Sequence, residues 1–351
     1  MRARSIFGGF VSSLWLALAT LVVGAVSSDA AAQSDRYVIA MVPKSGSNPV
    51  FIAARSGAEA AARELGAKNG VSIELLWWAP ARDDAARQIE IVRSLAAAGV
   101  DGIAISCSDP DTLTPEINRA ATAGATVVTF DADAPNSARI AYVGIDDRAA
   151  GRLVIDELSK HFGENDREGP STVAILTGTR TAANMVDRVR GVVDGISTMD
   201  NVSLVGAFSH DETPEGAAEA LAAAEANYGP IDAWAFVGGW PMYTEGGLDA
   251  VPSQTPIVSI DLLPQTLDHL ESGRVKALVG QPYFDWGYES VRMVFDRVHG
   301  NQAPISKTVM APLEVVGPER AAEYRERWRD WMETGVSPTA TAAPSASGDG
   351  G

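Results

Sequence analysis

The sequence predicts an α/β fold built as two similar halves. Short runs rich in β-branched residues alternate with longer Ala-rich segments, at a period of roughly 25 to 30 residues. This is the pattern of βα units feeding a parallel sheet. From about residue 173 the same pattern begins again. A length of 351 residues, 46% hydrophobic and 21% charged, fits two ordinary globular domains.

Residues 37–42 read as the first strand, and 49–65 as an Ala-rich helix stopped by Gly66. Residues 71–77 form a second strand. A helix over 83–98 follows, opened by Asp83 and Asp84, whose charges suit a helix N-terminus, and closed by Gly99. The third strand is 102–106, the next helix 111–123, and the fourth strand Val127-Val128-Thr129-Phe130. A short strand at 140–143 and a helix at 148–161 connect to the second half. There the strands are 173–176, 202–207, 233–237, 257–260 and 275–279. The helices between and after them are 182–197, 215–227, a short one before 257, and 285–298. Residues 308–316 read as one extended segment and 318–332 as a charged amphipathic helix carrying Trp328 and Trp331.

The two ends are read as outside the fold. Arg2 and Arg4 precede an apolar run over 10–26, and small residues follow around Ala30-Ala31-Ala32, which is a secretory signal pattern over 1–33. An uncleaved membrane anchor is the alternative, because the run is of borderline spanning length. No cysteine lies there, so a lipoprotein is not expected, and the destination is the periplasm or cell exterior. Residues 336–351 are almost wholly Ala, Ser, Thr, Pro and Gly and cannot order themselves. A formal net charge of −17 argues against a nucleic-acid partner. Cys107 is the single cysteine, so no intrachain disulfide forms; it reads as a buried apolar residue.

Function is read from the strand ends, because ligands of open α/β sheets sit at the carboxyl ends of the strands. Lys44, Ser45, Ser47 and Asn48 follow the first strand, with Phe51 a turn into the helix. Trp77 and Trp78 follow the second, Ser106, Ser108 and Asp109 the third, and Asp131 and Asp133 the fourth. In the second half come Thr177, Thr179 and Arg180, with Asn184, Arg188 and Arg190 in the next helix. Ser209, His210 and Asp211 follow, then Trp240, Asp261, Gln281, Tyr283 and Trp286. Acceptors, bidentate donors and flat aromatic faces suit the hydroxyls and C–H faces of a sugar. Each group has a blander reading. Asp131 and Asp133 can cap a turn, Arg188 and Arg190 can be surface charges, and Phe51 and Trp240 can be core. The spacing of Asp131 and Asp133 also occurs in metal-dependent sugar transfer, but an EF-hand is ruled out by the missing third ligand and glycine. His161, His210, His269 and His299 lack metal spacing, and no P-loop, H-E-x-x-H or G-x-S-x-G pattern occurs. No cofactor and no enzymatic activity are expected.

The sequence resembles the periplasmic sugar-binding proteins of the ribose-binding type that serve ABC importers, over about residues 36–316. The residues that carry the resemblance are Asn48-Pro49-Val50-Phe51, Gly99-Val100-Asp101-Gly102-Ile103-Ala104-Ile105-Ser106, and the run from Val127 to Pro135. Others are Tyr142-Val143-Gly144-Ile145-Asp146, Ala150-Gly151-Arg152, Arg188-Val189-Arg190-Gly191, Ser259-Ile260-Asp261 and Gly280-Gln281-Pro282-Tyr283. The resemblance implies two doubly wound parallel-sheet domains joined by a three-segment hinge, with ligand in the interdomain cleft. It divides the chain into 36–145 with 282–310, and 146–281 with 311–335. It implies ligand contacts from Asn48, Phe51, Asp131, Arg188, Asp261 and Gln281, and places Trp240 where relatives also meet ligand. Ala132 and Asp133 stand where ribose binders carry Arg soon after the aspartate, Gly239 stands for Asn, and Val50 replaces an aromatic. Lys44 with the Asp-Ala-Asp run looks closer to binders of rhamnose, other sugars or autoinducer-2. The resemblance thus implies a monomer that captures a monosaccharide-sized sugar for an ABC permease. Presentation of a sugar or autoinducer-2-like ligand to a membrane receptor is the alternative.

Overall fold

A computed structural model describes residues 35–162 and 169–334, with side chains described up to residue 329. The signal segment and the C-terminal tail expected from the sequence lie outside the described residues. The first half runs β1 (Arg36–Val42), α1 (Pro49–Asn69), β2 (Ser72–Trp77), α2 (Ala85–Ala98), β3 (Gly102–Ile105), α3 (Pro110–Thr122), β4 (Thr126–Phe130) and β5 (Ala141–Gly144). The second runs α4 (Asp147–Ser159), β6 (Ser171–Thr177), α5 (Ala183–Ile196), β7 (Val202–Ser209), α6 (Pro214–Tyr228), β8 (Ala233–Phe236), β9 (Ile257–Ile260), α7 (Pro264–Glu271) and β10 (Ala277–Gly280). Then come α8 (Tyr283–Gly300), β11 (Thr308–Met310), β12 (Glu314–Val316) and α9 (Ala321–Thr334).

The strands form two six-stranded sheets of matching order, β2-β1-β3-β4-β5-β11 and β7-β6-β8-β9-β10-β12. The first is parallel throughout, and the second ends in β12, which pairs antiparallel with β10. Helices cover both faces, so β3, β8, β9 and β10 are buried along their whole length. That is why they read as unbroken apolar runs rather than alternating ones. The edge strands β2 and β7 are only partly covered.

The chain passes between the sheets three times. After β5 it enters α4, which packs on α5 and the strands of the second sheet. After β10 it enters α8, which packs on α1 and the first sheet. Residues 311–313 then link β11 in the first sheet to β12 in the second. The single extended segment expected over 308–316 is therefore two short strands in different sheets. Local propensity cannot register such a switch of partner. Two further differences are local. The short helix expected before β9 is a 3-10 turn over Trp240–Tyr243. The helix α7, not foreseen, is eight residues long, with Pro264 at its start and Leu267 and Leu270 buried.

The two crossing helices, α8 and α4, pack on α1 and α5 through facing glycines. A Cβ at Gly287 of α8 would lie 1.7 Å from the Ala54 carbonyl oxygen, and one at Gly57 of α1 2.0 Å from that of Phe284. In the second half, a Cβ at Gly151 of α4 would lie 1.9 Å from the Arg188 oxygen, and one at Gly191 of α5 2.0 Å from that of Arg148. Backbone cannot yield as a flexible side chain can, so a methyl here must part the helices. Gly287→Ala is expected to cost about 1–3 kcal/mol, read as a lower urea midpoint with an unchanged slope. A midpoint equal to the parent's would show that α1 and α8 separate freely.

Candidate functional site

The cleft is built at the carboxyl ends of the strands in both sheets, and the matching order makes it nearly symmetric. In each half the residue after the fourth strand is an aspartate in the left-handed region: Asp131 at φ 57° after β4, and Asp261 at φ 89° after β9. Each backbone N–H bonds to the next strand, Asp131 to the Val143 oxygen and Asp261 to that of Val279, both at 3.1 Å. Aspartate at positive φ costs conformational energy, and such strain gathers at functional positions. Here it turns both carboxylates into the space between the sheets.

A single cavity of about 20 Å³ is lined by Lys44, Asn48, Val50, Phe51, Asp131, Asn184, Met185, Arg188, Glu212, Trp240, Asp261, Gln281 and Trp286. Eight of the nine residues expected from the sequence thus meet there. The ninth does not. The Asp133 carboxylate accepts from Thr129 Oγ1 at 2.6 Å and from the Ala134 N–H, and Arg139 Nη2 donates to it at 2.6 Å. It fixes the loop after β4 rather than facing the cleft. Trp77 and Trp78 also stay outside: Trp77 lies under the Arg55 guanidinium and Trp78 is 42% exposed.

Around Asp131 the donors come from both halves. Ser106 Oγ, at the end of β3, donates to one oxygen at 2.7 Å, and Asn184 Nδ2, in the first turn of α5, reaches across to the other at 3.1 Å. From behind, the Tyr142 hydroxyl donates to the Asp131 carbonyl at 2.8 Å and holds the strained residue in place. Arg188 is 2% exposed and each of its three nitrogens is engaged, leaving one further N–H on each Nη. Nε donates to Asp147 at 2.8 Å, Nη1 to the Val237 carbonyl at 3.1 Å and Nη2 to Gln281 Oε1 at 2.8 Å, while Asp131 lies 3.9 Å away. Gln281, on the crossing to α8, passes the chain on by donating to Asp261 at 2.8 Å. Asp261 also accepts from the Gly239 N–H at 2.8 Å, from Tyr243 at 2.9 Å and from Tyr283 at 3.3 Å. Its lone pairs are thus nearly filled. Asp261 acts as a hub that orients Gln281 and the Trp240 turn. Asn48 divides its amide: Oδ1 caps α1 by accepting from the Val50 N–H at 3.2 Å, so Nδ2 is the part left for the cleft.

At the side away from the crossings, Lys44 meets Glu212 at 3.1 Å, each side chain 3% exposed. Burial alone would lower the Lys44 pKa. Glu212, then Asp131 and Asp83, outweigh it and hold the ammonium well above its ordinary range. Thr179 Oγ1 lies 3.1 Å from Glu212 and 3.0 Å from Asp83, and Ser108 Oγ also donates to Asp83. Asp83 was expected to favour a helix terminus, but α2 is capped by Asp84, and Asp83 bridges the two halves instead. Burial, then Glu212, push its carboxyl up against the pull of Lys44. The loop carrying Glu212 is fixed by His210, whose Nδ1 accepts the Glu212 N–H at 3.0 Å. Burial brings that imidazole down to about 4, so it is neutral at pH 7.

Glu212 and Asp147 were not marked by the sequence. Asn184, Trp286 and Thr179 were visible as polar or aromatic groups near strand ends. Glu212 sits just before a proline-led helix and reads as a helix-start acid, and Asp147 reads the same way. No local pattern marks either as a cleft residue.

Two α/β domains thus face each other across a buried cleft of fixed donors, acceptors and aromatic walls, the architecture of a ligand site between domains. The chain belongs to the periplasmic binding protein domain family, whose model matches residues 39–302. It is similar to GanP, a glucose-galactose binding protein from Geobacillus stearothermophilus, with 29% identity and TM-score 0.72 over 82% of this chain and 99% of that one. An ABC transporter solute-binding protein from Burkholderia graminis, solved in complex with D-arabinose, is 24% identical with TM-score 0.72 over 82% and 97%. One from Agrobacterium vitis, bound with α-D-tagatopyranose, is 17% identical with TM-score 0.73 over 82% and 96%. The fold is that of the sugar-binding solute-binding proteins of ABC transporters. Among the described residues, no helix is long and apolar enough to cross a membrane, and no cluster of three metal-ligating side chains occurs.

Proposed function

We propose that the chain is exported by its N-terminal segment, captures a monosaccharide-sized sugar between its halves by hinge closure, and delivers it to an ABC permease. The halves are 36–145 with 282–310, and 146–281 with 311–335. The contacts are Lys44, Asn48, Phe51, Asp131, Arg188, Trp240, Asp261 and Gln281, joined by Asn184. The observation that carries this reading is the bond from Asn184 to Asp131 at 3.1 Å, a donor of one half meeting an acceptor of the other across the cavity. A hydroxyl group donates and accepts at once, so a polyol placed between the two satisfies both. The cavity of about 20 Å³ holds about one water molecule. A sugar therefore enters only when the halves part along their three crossings, and ligand contacts from both sides favour reclosure. The family and the sugars bound by its structural neighbours support the ligand class.

Calorimetric titration with D-glucose, D-galactose, D-arabinose and D-tagatose tests it. One of these should bind, and Asp131→Ala should weaken it by about 2 kcal/mol, close to thirtyfold. Equal affinity of parent and variant would remove Asp131 from the site. Absence of heat with every sugar would remove the sugar reading.

A further inference from the structure

Two side chains lining the cavity carry a hydrogen-bonding atom that no protein group meets. The Trp240 and Trp286 Nε1 atoms are fully buried, and neither has an acceptor. The residues themselves are 4% and 0% exposed. The indole N–H is a donor only, and it is the sole polar atom of the side chain. Buried donors are nearly always paired, because leaving one unmet forfeits its hydration with nothing in return. Apart from Asn48 Nδ2, the polar neighbours in the cavity are already matched. Lys44 has Glu212, Asn184 has Asp131, and Arg188 has Gln281, which has Asp261. Asn48 Nδ2 is also left for the cleft, and the other unmet buried atoms among the described residues (Arg139 Nε, His210 Nε2 and Ser290 Oγ) belong to residues outside the lining. The two indoles are the fully buried, unmet donors that line the cavity, and they come from opposite halves. Trp240 follows β8 of the second sheet in the 3-10 turn, and Trp286 lies in the first turns of α8, packed on the first.

Both rings are locked. Trp240 packs edge-on against His210 with centroids 4.9 Å apart, and Trp286 against Tyr283 at 5.3 Å. Neither ring can swing to find a protein acceptor without breaking these contacts. The neutral His210 ring does not line the cavity and already accepts from the Glu212 N–H through Nδ1.

We infer that the indole N–H groups of Trp240 and Trp286 are ligand-directed donors, each taking an oxygen of the bound sugar, so that the pair selects ligands bearing oxygen at two positions. The inference rests on the sugar reading above. It assigns these tryptophans a hydrogen-bonding role in addition to an apolar wall. Asp131 accepts from the ligand, whereas the tryptophans only donate. Together they fix which of the ligand's oxygens lies where. A sugar that lacks the oxygen facing one indole leaves that donor buried and unmet, which is how a polar site rejects a deoxy analogue.

The test uses the full chain, with the sugars named above as probes and their monodeoxy analogues. Trp240→Phe and Trp286→Phe each keep a flat apolar ring and remove the donor. Each is expected to weaken the binding sugar about tenfold. Each should also narrow the preference for that sugar over the deoxy analogue the parent rejects, which a mere loss of packing would not do. With indole ¹⁵N labelling, two N–H signals should shift on saturation of the parent and exchange more slowly with water. This readout holds even where a variant fails to fold. If calorimetry shows binding but those two signals stay in place, or both variants keep the parent's preference, the inference falls and the sugar reading stands. If no sugar binds, both fall.

Discussion

Arg188→Ala is expected to abolish measurable sugar binding and to destabilise the protein by about 3–5 kcal/mol, the cost of stripping one partner from a buried ion pair. The guanidinium holds three elements at once: Asp147 at the start of α4, the Val237 carbonyl at the end of β8, and Gln281 at the crossing to α8. Its loss leaves the Asp147 side chain, 10% exposed, with no other ion-pair partner among the described residues. Lysine should not restore binding, because one ammonium cannot span the three acceptors that the planar fork reaches. Arg188→Met combined with Asp147→Asn should regain much of the stability and none of the binding. Urea unfolding and calorimetry on the three variants separate the roles. If Arg188→Ala binds as the parent does, Arg188 is only a structural clamp.

Asp147 adds a pH signature. Burial pushes its carboxyl up to about 6, against the pull of Arg188, from an ordinary 3.8. The folded protein therefore holds this proton more tightly than the unfolded chain. The contribution to stability is fully present below about 3.8 and is lost as pH rises through about 6, a swing of roughly 3 kcal/mol. Asp147→Asn should remove that slope between pH 4 and pH 6 in urea midpoints. A variant that keeps the parent's slope would place the titration on another group.

What the sequence showed and what it hid follow one physical line. Asp131, Asp261 and Gln281 stood out because strand ends are set by local pattern and the fold class says that strand ends line the cleft, whereas Arg188, inside α5, was singled out from Arg190 only by the family resemblance. Asp133 shares the loop of Asp131 and looked equivalent. The difference is the φ of 57° at Asp131, which sends the two carboxylates to different partners, and Arg139 then claims the second. Glu212 was hidden because its partner is 168 residues away on the other half. Nothing near Glu212 distinguishes a cleft acid from a helix-start acid. The division of 308–316 between two sheets was hidden for the same reason, since an extended stretch looks alike whichever sheet receives it. Which side chain spans the gap between halves is a tertiary fact. The alternation of strands and helices, and with it the doubled architecture, is a local one.

Lys44→Met is expected to shift the protein toward an open form and to raise the apparent Kd by roughly a hundredfold to several thousandfold. In the structure the Lys44 and Glu212 side chains are each 3% exposed and joined at 3.1 Å. On the proposed hinge motion both would be hydrated once the halves part, so closing would strip water from two charges. Their mutual attraction roughly offsets that loss, and the intact pair adds little to closure. Removing the cation alone is different. Glu212 would then be buried against Thr179, with Asp83 beyond it and no other ion-pair partner among the described residues, a penalty of about 3–5 kcal/mol that falls on the closed form only. A ligand that needs the closed form loses affinity in proportion to its lost population. Small-angle scattering should show a larger radius of gyration for ligand-free Lys44→Met than for the parent. The double variant Lys44→Met, Glu212→Leu then distinguishes the two roles open to Lys44. If the pair only holds the halves together, removing both charges restores compactness and affinity together. If Lys44 also touches the sugar, compactness returns while affinity stays low. A single variant as compact and as tight-binding as the parent would show that the ion pair governs neither closure nor capture.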